Sequence, residues 1–99
     1  MPPRELVWTP GAVGQLAELL SRRNDRAAVR KCVEQHLLAA ANDLETAAQR
    51  WDGPVDDVWI YRFRCEDRKD GKVVVLNIQA ELEATDHTVG VLACGTIAL

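Results

Sequence analysis

The chain has 99 residues, with 12 Lys and Arg against 15 Asp and Glu and a formal net charge of -3. That length suits one domain and leaves no room for two. An acidic total speaks against a protein that grips nucleic acid over a broad basic face, because phosphate binding draws on excess Lys and Arg.

No apolar run approaches the roughly 18 residues that a membrane-spanning helix needs. Met1-Pro2-Pro3-Arg4-Glu5 lacks the apolar stretch of a signal peptide. The expectation is a cytoplasmic chain with no membrane partner. Cys32, Cys65 and Cys94 are odd in number and far apart, so they read as buried free thiols and not as a disulfide framework.

Leu6-Val7-Trp8 is a short strand candidate. Thr9-Pro10 then reads as a helix start: the Thr9 hydroxyl can accept from a free N–H, and Pro10 at the first helical position loses no hydrogen bond. Trp8 is placed to staple onto Val13. Val13, Leu16, Ala17 and Leu20 recur at helical spacing, and this helix is expected to end near Arg22. A second helix begins at Asn24 or Asp25. Its stripe of Val29, Val33, Leu37, Ala40, Ala41, Leu44 and Ala48 runs on until Gly53-Pro54 stops it. The two form a helical hairpin that must lay its apolar side on something.

After Pro54 the period changes to two. Over 57–66, Trp59, Tyr61, Phe63 and Cys65 share one face, and Val58, Ile60, Arg62 and Arg64 share the other. The aromatic face is expected to meet the helices. Asp70-Gly71 signals a hairpin. In the next strand, 73–83, Val74, Leu76, Ile78, Ala80 and Leu82 face inward, while Asn77, Gln79, Glu81 and Glu83 face away. Thr85-Asp86-His87 turns into a last strand over 89–98, where Gly90 and Gly95 mark expected bulges or close approaches. The fold class is therefore α+β: an N-terminal strand and a helical hairpin packed on one face of a four-stranded antiparallel sheet.

Arg62 and Arg64 carry the sharpest chemistry. Alternate residues of a strand stand roughly 6.6 Å apart, which suits successive phosphates or carboxylates. Lys72, across the hairpin turn, could join them. The plainer alternative pairs the two arginines with Glu81 or Glu83 on the next strand. Tyr61 reads as a packing residue by alternation, with a catalytic hydroxyl as the alternative. His36 lies beside the apolar stripe of the second helix, and His87 sits in a turn near Asp86 and Glu83 without any recognised metal-ligand spacing. Asp43, Glu45, Asp52, Asp56 and Asp57 collect around the end of the second helix. Arg22, Arg23, Arg26, Arg30 and Lys31 collect between the helices. No phosphate-binding loop, dinucleotide loop, zinc-finger spacing or serine elbow is present, and no cofactor or metal is expected.

Val7-Trp8-Thr9-Pro10-Gly11-Ala12, Trp59-Ile60-Tyr61-Arg62-Phe63-Arg64, Val73-Val74-Val75-Leu76 and Val89-Gly90-Val91-Leu92-Ala93-Cys94-Gly95 resemble successive segments of the RelE/ParE superfamily of bacterial toxins. The resemblance spans nearly the whole chain and implies a single RelE/ParE-like domain over 1–99. It implies the toxin component of a type II toxin–antitoxin system, acting on mRNA at the ribosome or on gyrase, with a cognate antitoxin as partner. The alternative it leaves open is a catalytically inactive protein-binding or regulatory module on the same scaffold, or a homodimer joined at a sheet edge. The family's charged catalytic set matches here at Arg62, Arg64 and Lys72. The chain closes with Thr96-Ile97-Ala98-Leu99, where nuclease members carry His, Arg, Lys or Tyr. Whether the chain is an enzyme stays open at this point.

Overall fold

The computed structural model describes residues 4–21, 26–50, 58–69 and 72–97, with the backbone alone described over 67–69 and 72–74. In chain order the elements are β1 (Glu5–Trp8), α1 (Pro10–Leu20), α2 (Arg26–Asn42), α3 (Leu44–Ala47), β2 (Gln49–Arg50), β3 (Val58–Lys69), β4 (Lys72–Ala84) and β5 (Thr88–Thr96). The α+β class is as the periodicity predicts. The sheet differs from expectation: it has five strands in the order β1-β5-β4-β3-β2, and β1 runs parallel to β5, so the sheet is mixed.

The fifth strand comes from the end of the expected second helix. That helix stops at Asn42, and Asp43 leaves helical geometry at φ -147°, ψ 61°. Asn and Asp side chains compete for local backbone groups and weaken a helix interior. One further turn, α3, keeps Leu44 fully buried before Ala48 becomes extended and the chain enters β2. The signals at Asn24, Asp25, Gly53-Pro54 and Asp70-Gly71 lie outside the described residues.

The start of α1 forms as the sequence indicates. Thr9 Oγ1 accepts from Ala12 N at 3.3 Å and donates to the Val91 carbonyl at 2.7 Å, so one hydroxyl caps the helix and ties it to β5. The buried face of α1 is Ala12, Leu16 and Leu20, not the expected set led by Val13. Val13 is 51% exposed and lies outside the buried face of α1.

Both helices cover the same side of the sheet. Ala12, Leu16 and Leu20 of α1 and Val29, Val33, Leu37, Ala40 and Ala41 of α2 share one core with Phe63, Cys65, Ile78, Ala80, Leu82, Val89, Val91 and Cys94. A fully buried aliphatic side chain such as Leu37 contributes about 1.5–3 kcal/mol. Trp59 and Tyr61 pack against this core partly buried, so the aromatic face meets the helices as expected. In β5 the buried positions run Val89, Val91, then Cys94. The phase slips because Leu82 pairs with Val91 while Glu81 pairs with Ala93. The bulge thus falls at Leu92, not at Gly90 or Gly95.

Cys32 of α2 and Cys65 of β3 are joined by a disulfide, with Cα atoms 6.0 Å apart. This corrects the reading of all three cysteines as free thiols; Cys94 alone is free, and it is buried. The pairing is invisible in the sequence because 33 residues separate the two sulfurs. Only the docking of α2 across β3 brings them together.

Candidate functional site

Alternation along β3 sends its chemistry to two sides of the sheet. On the side away from the helices, Arg62 and Arg64 are exposed. The β3–β4 register sets Arg62 opposite Gln79 and Arg64 opposite Asn77. Arg62 Nε donates to Gln79 Oε1 at 3.0 Å. Glu81 and Glu83 fall opposite Ile60 and Val58, so the expected cross-strand ion pairs do not form. Among the described residues no carboxylate lies within ion-pairing distance of either guanidinium; an ion pair elsewhere joins Arg4 to Glu45 at 3.7 Å. Arg62, Arg64, Asn77 and Ile97 rim a depression of about 160 Å³.

Lys72 is not brought to this pair. Its backbone pairs with Lys69 at the far end of the ladder, five positions along β4 from Asn77. That separation is roughly 17 Å along a strand. The side chain of Lys72 lies outside the described residues.

On the helix side, the sequence reading missed a polar pair. The Tyr61 hydroxyl and His36 Nδ1 are 3.1 Å apart and partly buried. Phe63 stacks on both rings, with centroids 4.8 Å from His36 and 5.0 Å from Tyr61. Burial raises the Tyr61 pKa, because the phenolate would lose hydration there. His36 lies one helical turn beyond Cys32, so α2 presents both residues to β3. The signal was the spacing of 32 and 36 on one helix face. Its partners could not be read from sequence.

A third feature is the outer edge of β5. β1 pairs with it over residues 88–91 only. Beyond Val91 no described strand pairs with that edge. Gln15 Oε1 of α1 accepts from Cys94 N at 2.8 Å, holding the place a strand carbonyl would take. Beside it lies an open cleft of about 500 Å³, lined by Gln15, Glu18 and Leu19 of α1, by residues 93–97, and by Leu76, Gln79 and Glu81 of β4. Burial pushes the Cys94 thiol up from 9.0 to about 11.

The remaining candidates are not assembled into a site. His87 is exposed in its turn, where its N–H donates to Thr85 Oγ1 at 3.3 Å and its carbonyl accepts from Glu5 N at 2.8 Å. Among the described residues no three metal-ligating side chains converge. Arg26, Arg30 and Lys31 are exposed on α2, while Arg22, Arg23, Asp52, Asp56 and Asp57 lie outside the described residues. No helix of the described residues is long and apolar enough to cross a membrane. No protein-family model, curated protein or solved structure matches the chain.

Proposed function

We propose that this chain is a catalytically inactive RelE/ParE-like protein-binding module that takes an extended segment of a partner protein along the outer edge of β5. The observation that carries this reading is the open edge beyond Val91, with Gln15 standing in for a strand partner beside a cleft of about 500 Å³. Apart from the Cys94 N–H that Gln15 holds, the edge beyond Val91 has no strand partner among the described residues and supplies main-chain donors and acceptors. The adjoining cleft supplies room for alternate side chains of an added strand. Glu18 and Glu81 on the rim favour a basic side chain on the incoming segment. An antitoxin-like protein encoded beside this chain is the partner the resemblance suggests.

Catalysis is the weaker reading on physical grounds. Cleavage at a ribose 2′-hydroxyl needs a base, a charge clamp and a leaving-group acid around one reacting centre. Arg62 and Arg64 could form the clamp, but Tyr61 and His36 stand on the opposite side of the same strand. The second reading, a toxin that cleaves RNA or inhibits gyrase, keeps one observation in its favour. The two guanidinium groups are exposed and unneutralised by any described carboxylate.

Co-expression with the product of the adjoining open reading frame tests the binding reading. A stable complex that slows exchange of the Thr96 amide, which faces outward from β5 and is not held by Gln15, is the expected result. A strictly monomeric chain, or a complex that leaves that amide unprotected, overturns it. Growth arrest on induced expression, relieved by the neighbouring gene product and lost in Arg62→Ala, would instead establish the toxin reading.

A further inference from the structure

We propose that Cys32 and Cys65 form a structural staple that the folded chain keeps oxidised, with thiol exchange entering only through the Cys32 sulfur. The two cysteines lie on packed elements, α2 and β3, with Cα atoms 6.0 Å apart, inside the range a disulfide requires. Other contacts join the same two elements around the bond. Val29 and Val33 of α2 share a core with Phe63, and His36, one turn beyond Cys32, stacks on Phe63. Two thiols held in place by the fold face each other at high effective concentration, which lowers the reduction potential of the pair.

Access to the two sulfurs is unequal. Cys32 is half-buried, whereas Cys65 is 3% exposed. Closure starts when the Cys32 thiolate attacks a low-molecular-weight disulfide such as oxidised glutathione. A Cys32–glutathione bond forms, and one glutathione leaves as thiolate. Cys65 then gives its proton to solvent and attacks the Cys32 sulfur, and the second glutathione thiolate leaves. The two cysteines are oxidised, and one glutathione disulfide is reduced to two thiols.

Opening runs the same path backwards through the same enclosed Cys65 thiolate, so exchange is slow in both directions in the folded chain. The closed form is favoured by the effective concentration of the two thiols. An external thiolate must strike Cys32, and Cys65 must depart as a thiolate inside the apolar core. A buried thiolate is a poor leaving group. Burial likewise lifts the thiol pKa of the enclosed Cys94 to about 11.

The test uses the full chain in glutathione buffers, quenched with an alkylating agent and weighed intact. In a buffer poised as in the cytosol, the folded chain is expected to lack two hydrogens and to alkylate only at Cys94, and only after denaturation. Reduction of the folded chain should be at least about tenfold slower than of the denatured chain. The reduced protein should melt about 10 °C or more below the oxidised one. In Cys65→Ser, oxidised glutathione should add at Cys32; in Cys32→Ser, Cys65 should stay unmodified until the chain unfolds. Three thiols alkylated when the chain from that buffer is denatured in the quench, equal reduction rates in the folded and denatured states, or identical melting of the two redox forms would each overturn the proposal. The rate comparison uses the unaltered protein and stands even where a variant fails to fold.

Discussion

The two faces of β3 and β4 are made by the same strands yet obey different physics. The helix-covered face holds Phe63, Cys65, Ile78, Ala80 and Leu82, all buried. The open face holds Arg62, Arg64, Glu81 and Glu83, all exposed, with Asn77 and Gln79 half-exposed. Period two allots every neighbour to the opposite side. The covered face therefore carries most of the stability; on the other face Val58 is buried, and the charged positions beyond it can be exchanged cheaply. For chemistry the separation has a cost: the charge clamp and the Tyr61–His36 pair meet at adjacent residues of β3 but lie on opposite sides of the sheet.

The strongest way to break this comparison is Phe63→Ala. It should lower stability by about 3–5 kcal/mol in urea unfolding, a large part of the roughly 5–15 kcal/mol that a domain holds. A variant that unfolds like the parent would mean that the covered face has been assigned to the wrong side. Thr9→Ala sharpens the picture where the helical layer joins the sheet. Losing the cap and the bond to Val91 should cost about 0.5–2 kcal/mol by the same measurement.

Cys94 gives the covered face a signature in alkali. Its folded pKa is raised, so its contribution is fully present below pH 9.0 and is lost as pH rises toward about 11. In Cys94→Ala the fall in melting temperature over that window should be shallower than in the parent. Equal slopes would show that the thiol is not shielded from water. At the small end, Arg64→Ala should change stability by less than about 0.5 kcal/mol, since it is exposed and pairs with no described carboxylate. A larger loss would make the open face structural.

Much of the layer plan was legible because it rests on periodicity. The aromatic face of β3 and the inward face of β4 follow from alternation alone, and Thr9-Pro10 marks the first helix by its chemistry. What escaped depended on distance in the chain. The Cys32–Cys65 and His36–Tyr61 pairs need α2 laid across β3, and nothing near those residues encodes their partners. The pairing of Arg62 with Gln79, not Glu81, hangs on a register that a shift of two residues would change. The bulge at Leu92 and the parallel addition of β1 to β5 are likewise set by tertiary fit. Val13 was misplaced because several apolar residues of α1 lie within one turn, and only packing decides which of them faces the core.

On the proposed reading, separating Arg62 and Arg64 from Tyr61 and His36 leaves a chain that binds a partner without cleaving RNA. The most direct measurement is mRNA cleavage on programmed ribosomes, because a free-RNA assay would miss an enzyme that borrows geometry from the ribosome. No cleavage above the background of an Arg62→Ala, Arg64→Ala double variant is the predicted result. Robust cleavage by the parent that disappears in a folded Arg62→Ala variant would contradict it.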